Sequence, residues 1–180
     1  MNTKNYAFIG LTGTNASGKG EAARFFKEAG FEYCSLSDLI REEVQQRGEA
    51  ETRDNLIRIG NELRENYGPD VLARRILEKI GKKTVIDSIR NPHEIDTLRT
   101  QPDFILLAID APVESRYERS KFRGRNESVN TLEEFIAKEE EEITDNEKGQ
   151  QLRNCMDMAD ALIMNDGSLD EFYAKLEKFL

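Results

Sequence analysis

The 180-residue sequence predicts an α/β fold in which a parallel five-stranded sheet is flanked by helices, as a single domain over 1–180. Three observations predict it. Short apolar runs alternate with segments of helical periodicity along the whole chain. A glycine-rich turn joins the first such run to the first helix. No internal repeat and no linker rich in Pro, Gly or Ser divides the sequence.

The elements follow in order. Tyr6 to Leu11 reads as a buried parallel strand. From Glu21 to Ala29, Ala22, Ala23, Phe25 and Phe26 recur at helical spacing, and Gly30 stops the helix. Phe31 to Ser35 is a second, weaker strand, followed by a helix from about Ser37 to Gln46. Thr52 to Ile80 is helical, broken at Tyr67-Gly68-Pro69-Asp70. Thr84-Val85-Ile86 is a β-branched run ending at Asp87, and Asn91-Pro92-His93-Glu94 is a helix start with Asn as cap, Pro first and Glu third. Phe104 to Ile109 is the most apolar strand, and Pro112 opens the next helix. Thr131-Leu132-Glu133-Glu134 and Ser168-Leu169-Asp170-Glu171 are capping boxes, with a last strand, Ala161 to Met164, between them.

Composition narrows the function. Apolar residues are 38% and charged residues 34%, which excludes a disordered chain. Asp plus Glu total 35 against 26 for Lys plus Arg, a formal charge of −9, so a general nucleic-acid binder is excluded. No apolar run approaches the roughly 20 residues that span a bilayer. The N-terminus lacks a signal-peptide pattern, so a cytoplasmic location without membrane partners is expected. The two cysteines, Cys34 and Cys155, are too few for a disulfide framework or a zinc site and read as small buried hydrophobes. A monomer and a homo-oligomer both fit. An anionic ligand needs a local basic pocket set against the global charge.

Gly13-Thr14-Asn15-Ala16-Ser17-Gly18-Lys19-Gly20 fits G-x-x-x-x-G-K between a strand and a helix, the context a phosphate-binding P-loop requires. Backbone N–H groups curl around phosphate oxygens there, the helix N-terminus adds its dipole, and Lys19 reaches the β and γ phosphates. The motif implies a nucleoside triphosphate donor with Mg²⁺; ATP is the donor expected, with GTP left open by the sequence. Where a Ser or Thr normally ligates that metal stands Gly20, followed by Glu21. Glu21 then has two readings: a metal-holding carboxylate, or a negative charge favoured in a first helical turn.

The segments that follow carry a resemblance. Ser35-Leu36-Ser37-Asp38-Leu39-Ile40-Arg41 resembles the S-T-G-D-x-x-R segment of adenylate kinase-like enzymes, in which the arginine grips the acceptor phosphate. Asp38 also matches the general base of dephospho-coenzyme A kinases; its bland alternative is a helix cap. Val85-Ile86-Asp87-Ser88-Ile89-Arg90-Asn91-Pro92 resembles the D-G-F-P-R strand end of adenylate kinases and the D-x-R-x-x-N-E-like segment of phage deoxynucleoside monophosphate kinases. Asp87 would then hold water on Mg²⁺ and Arg90 would clamp an acceptor phosphate. His93 reads as a solvated first-turn residue.

Arg116, Arg119, Arg123 and Arg125 cluster within a lid expected over about 114–130, and the first three share one helical face. Arg119 and Arg123 match best the arginine pair with which nucleotide kinases close over the transferring phosphoryl group. The alternative is a charged face neutralised by Glu114 and Glu118. The acidic run Glu139 to Glu142 reads as a solvated helix face. Ala159 to Leu169 resembles the A-D-x-V-I-x-N-x-G-S/T-L ending of dephospho-coenzyme A kinases, which would place Asn165 and Gly167 beside adenine.

As an ordered set these segments resemble P-loop small-molecule kinases of the nucleoside monophosphate kinase and dephospho-coenzyme A kinase-like group. The resemblance implies a three-layer P-loop kinase fold with a short arginine-rich lid and a helical acceptor-binding insertion, here about 42–80. Arg64, with Arg53, Asn61 and Tyr67, lies in that insertion and is expected to read the acceptor. Three functions compete: phosphoryl transfer to a small phosphate-bearing nucleotide, phosphorylation of a ribose hydroxyl with Asp38 as base, and ATP binding as a regulatory switch.

Overall fold

The computed structural model describes residues 5–122, 131–142 and 150–180. Its strands are β1 (Phe8–Gly13), β2 (Glu32–Ser35), β3 (Thr84–Asp87), β4 (Phe104–Asp110) and β5 (Ala161–Met164). They form one five-stranded sheet in the order β2-β3-β1-β4-β5, every neighbouring pair parallel. The helices are α1 (Lys19–Glu28), α2 (Leu36–Gln46), α3 (Arg53–Tyr67), α4 (Val71–Leu77), α5 (Pro92–Leu98), α6 (Val113–Phe122), α7 (Leu132–Glu142), α8 (Leu152–Asp157) and α9 (Leu169–Leu176).

Alternation along the strands builds a core on each face of the sheet. Ile9, Leu11, Val85, Ile105, Leu107 and Ile109 pack with Ala22, Phe26 and Phe172 of α1 and α9. Ile86 and Leu106 point the other way, onto Leu36, Ile59, Leu63, Leu72 and Ile95 of α2 to α5. Burying each such large side chain is worth about 1.5–3 kcal/mol. The sheet is therefore a middle layer between two helical ones.

The register centres β1. Its residues run beside β4 from Phe8↔Phe104 to Gly13↔Ile109, and beside β3 from Phe8↔Thr84 to Gly10↔Ile86. The chain leaves β1 toward β2 on one side and leaves β4 toward β5 on the other. That is the switch point at whose carboxyl edge doubly wound sheets bind ligands. Asp87 and Asp110 close the two strands that flank β1.

Differences from the sequence reading are local. β1 extends to Gly13 and α1 starts at Lys19, because the phosphate-loop residues themselves take strand and helix geometry. The 52–80 segment divides as expected, at Gly68, whose φ is +100°. Reciprocal capping boxes form at Asn91/Glu94 and Ser168/Glu171. α8 is an unexpected helix; it buries Cys155 alone, so no periodicity announced it. Of the lid segment, 123–130 lies outside the described residues.

Candidate functional site

The loop from Gly13 to Gly20 sits at the carboxyl end of the central strand. Gly13 has φ +136°, and a Cβ there would stand 1.9 Å from the Ile109 carbonyl oxygen. Only glycine lets the chain turn so close to β4. Gly18 has φ +114°, and a Cβ would meet Asn165 Nδ2 at 2.3 Å. Asn165, at the end of β5, uses that space to donate from Nδ2 to the Ser17 carbonyl at 2.8 Å. Lys19 Nζ donates to the Gly13 and Thr14 carbonyls at 2.7 and 2.6 Å, which folds its ammonium over the loop. The amide of Ser17 reaches the Thr14 carbonyl at 3.4 Å, and Ala16 holds a left-handed φ of +58°.

Two arginines of α6 complete this side. Arg119 donates to the Ser17 carbonyl at 3.3 Å and to the Asn165 carbonyl at 3.2 Å. Arg116 is buried; it donates to the carbonyls of Ala111 at 3.0 Å and Asn15 at 3.4 Å and pairs with Glu139 of α7. Its side chain also lies over the Phe135 ring at 5.7 Å. Glu139 is therefore no solvated charge, contrary to the sequence reading: 19% exposed, it anchors α7 to the phosphate loop through Arg116. Arg123, expected as Arg119's companion, lies outside the described residues, as does Arg125.

Carboxylates at the sheet edge are candidates for Mg²⁺. Asp110 Oδ1 accepts from the Thr14 hydroxyl at 2.6 Å and from the Ala111 amide at 2.8 Å. Asp87 is 8% exposed; Oδ1 accepts from the Ser88 amide at 2.6 Å and Oδ2 faces the Tyr33 hydroxyl at 3.5 Å. Burial first, then the Asp87 charge, push the Tyr33 hydroxyl up to about 12, so it remains a donor. Among the described residues no three His, Cys, Asp or Glu side chains cluster as a metal cage. Mg²⁺ beside phosphates needs only one or two carboxylates with waters, and Asp87 and Asp110 suit that mode. Glu21 does not: its carboxylate is engaged by Arg24 at 2.9 Å and by the Tyr173 hydroxyl of α9 at 3.1 Å. The first-turn reading of Glu21 is the one its surroundings favour.

Across the edge lies the expected acceptor side. Ser35 caps α2. Its Oγ lies 2.8 Å from that of Ser37 and 3.1 Å from that of Ser88, which has a left-handed φ of +66°. Arg41 donates to Ser37 at 2.9 Å, to Asp38 at 2.7 Å and to Glu51 at 2.7 Å. Burial works against its charge, but bonds to Asp38 and Glu51 outweigh it and raise the Arg41 pKa. Asp38, with its side chain 51% exposed, opens to solvent beside it. Arg90 donates to Gln150 at 3.0 Å. The structure thus brings Asp38, Arg41, Asp87 and Arg90 to one edge with the loop, while Gly167 serves the α9 cap, where a Cβ would meet Glu171 at 2.3 Å.

Arg64 corrects an expectation. It is 2% exposed and bonded to Glu94 in the core, so its guanidinium does not line an open surface. Asp110 and Arg116 are the residues the sequence reading undervalued. Asp110 carries the same signal as Asp87, an acid closing an apolar strand, and Arg116 shares the helical face of Arg119. Burial pushes the Cys34 thiol up to about 12 and the Cys155 thiol further up, which disfavours the thiolate in both. No helix among the described residues is long and apolar enough to cross a membrane.

Comparison with known proteins gives the family and the fold. A family described as an AAA domain (AAA_17) matches residues 12–136. A UPF0200 protein of Methanoculleus marisnigri is 36% identical over 177 residues, covering 96% of this chain and 94% of its own. A UPF0200 protein of Sulfurisphaera tokodaii is 33% identical over 174 residues, with 96% and 94% covered. Among solved structures, TT1252 from Thermus thermophilus superposes with a TM-score of 0.62 at 21% identity, covering 97% of this chain and 96% of that one. A shikimate kinase from Bacteroides thetaiotaomicron gives 0.61 at 14%, with 96% and 97% covered. At such identities the likeness speaks for the fold, which is that of P-loop small-molecule kinases. The chain therefore belongs to the AAA-domain family AAA_17, which matches residues 12–136, and to the UPF0200 proteins, to which it is 33–36% identical over nearly its whole length.

Proposed function

We propose that the chain is an ATP-dependent kinase of a small, phosphate-bearing, nucleotide-type acceptor. The observation that supports it is that cationic side chains occur in two sets at the carboxyl edge of one sheet: Lys19, Arg116 and Arg119 around the loop after β1, and Arg41 and Arg90 on the segments after β2 and β3. A hydrolase acting on ATP alone has no use for the second set. In this reading loop amides and Lys19 bind the donor phosphates, Arg119 beside the loop stabilises charge developing on the transferring phosphoryl group, and Arg41 and Arg90 clamp the acceptor phosphate. Asp87 and Asp110 would hold Mg²⁺, which when bound neutralises phosphate charge. An acceptor phosphate is largely ionised near pH 7 and needs no base.

A second reading is favoured by Asp38, an exposed carboxylate beside Arg41. There the acceptor is a ribose hydroxyl, as in dephospho-coenzyme A, and Asp38 takes its proton. A coupled kinase assay across nucleoside monophosphates, deoxynucleoside monophosphates and dephospho-coenzyme A decides. Turnover of a monophosphate that survives Asp38→Asn supports the first reading; turnover of a hydroxyl acceptor that Asp38→Asn abolishes supports the second. ATP binding without transfer to any of them would leave a nucleotide-gated regulatory protein.

A further inference from the structure

The chemistry above leaves one buried charge pair unused. Arg64 of α3 and Glu94 of α5 have side chains 2% and 0% exposed. Glu94 Oε1 accepts from Arg64 Nε at 3.0 Å and Nη2 at 2.7 Å. Its Oε2 accepts the main-chain N–H groups of Arg90 at 3.0 Å and Asn91 at 3.1 Å. A capping-box glutamate needs one oxygen for its own helix start. Here the other oxygen reaches a helix of the insertion, 30 residues away in sequence. Apolar side chains of similar volume would hold these helices together at least as well as a buried ion pair does. Arg64 even leaves Nη1 buried without a hydrogen-bond partner among the described residues. What apolar packing could not do is grip two peptide groups of the Arg90 turn.

We infer that Arg64 and Glu94 are positioning residues that fix the Arg90 turn to α3, so that Arg90 and the helical insertion meet the acceptor as one rigid piece. Neighbouring contacts agree: the Arg90 carbonyl accepts from the Gln151 amide at 2.8 Å, and the Ile89 amide reaches the Leu11 carbonyl of β1 at 3.2 Å. The turn is held at its start by the sheet and at its end by Glu94, which fixes the point from which the Arg90 side chain extends.

The inference rests on the kinase reading, and its test separates the two. The double variant Arg64→Met/Glu94→Gln removes both charges while glutamine still caps α5. Its acceptor KM is expected to rise at least about tenfold, with kcat and the donor KM within about twofold of wild type. Hydrogen exchange at the Arg90 and Asn91 amides should accelerate by a similar factor. Arg64→Lys, which keeps a cation in the core and serves if the double variant does not fold, should recover part of the acceptor KM. An unchanged acceptor KM, or a donor KM that moves equally, overturns the inference. If the wild-type protein transfers phosphate to no acceptor, the kinase reading fails instead. The tie is then judged by exchange alone: acceleration confined to Arg90 and Asn91 in Arg64→Met supports it, and unchanged exchange overturns it.

Discussion

The two sides of the cleft are built differently. On the donor side the main chain does the work: the carbonyls of Gly13, Thr14, Asn15 and Ser17 each receive a side chain, and the loop they belong to is eight consecutive residues, Gly13 to Gly20. On the proposed acceptor side the bonds join ionised side chains: Arg41 with Asp38 of the same helix and with Glu51 beyond it, and, in the core behind the Arg90 turn, Arg64 of α3 with Glu94 of α5. A site made of backbone depends on a few glycines and tolerates changes around them. One made of side-chain pairs depends on each partner and on the geometry between them.

The largest expected effects lie on the donor side. Gly13→Ala would drive a methyl into the Ile109 carbonyl, so no folded protein is expected by circular dichroism. Lys19→Ala should keep its fold by circular dichroism and yet lose transfer by about 10²–10³-fold or more, because the ammonium now held over the Gly13 and Thr14 carbonyls is gone. Retention of full activity in Lys19→Ala would break the donor assignment outright. An intermediate effect is expected from Arg41→Lys. The ammonium cannot engage Ser37, Asp38 and Glu51 as the guanidinium does, and the acceptor KM should rise about tenfold, or roughly 1.4 kcal/mol. A matching change in the donor KM would mean the two sides are not separate.

The same contrast explains what the sequence could reveal. Strands covered on both faces read as apolar runs, so the order of the strands is legible, and a phosphate-loop motif written in consecutive residues is legible with them, whereas α8, which buries Cys155 alone, is not. Nor is Arg64. Its place on α3 invites a ligand-reading role, and only Glu94, far along the chain, makes it a core residue. Glu21 likewise meets a hydroxyl, that of Tyr173, 152 residues away on α9. Glu139 sits in an acidic run that looks solvated until α7 folds back on Arg116. In each case the charge was visible and its partner was not.

A smaller effect is expected where the donor side borrows a side-chain pair. Glu139→Gln keeps a hydrogen bond to Arg116 but removes the charge. The freed charge stays buried beside the Asn15 carbonyl, and Asp110 remains 3.8 Å away to compensate in part. Donor affinity, read by titration with a fluorescent ATP analogue, should fall a few-fold, about 1 kcal/mol, with acceptor KM unmoved.

The smallest effects sharpen the comparison best, because both sides carry one residue in the left-handed region: Ala16 at φ +58° and Ser88 at φ +66°. Such a residue costs about 1–2 kcal/mol, which glycine relieves. Against that relief, glycine adds about 0.4–1 kcal/mol of unfolded-state entropy. Ala16→Gly also gives up a methyl that is 4% exposed, worth about 0.8 kcal/mol. The terms nearly cancel, so Tm should stay within a few degrees. What changes is order in the loop, which ATP must then impose, and the donor KM should rise a few-fold. Ser88→Gly relieves the same strain but removes the hydroxyl that meets Ser35 and Ser37, so its effect should fall on the acceptor KM. Steady-state kinetics with each substrate varied in turn reads both variants. If either one moves both Michaelis constants together, the backbone-built and side-chain-built halves are one coupled site, and the division drawn between them fails.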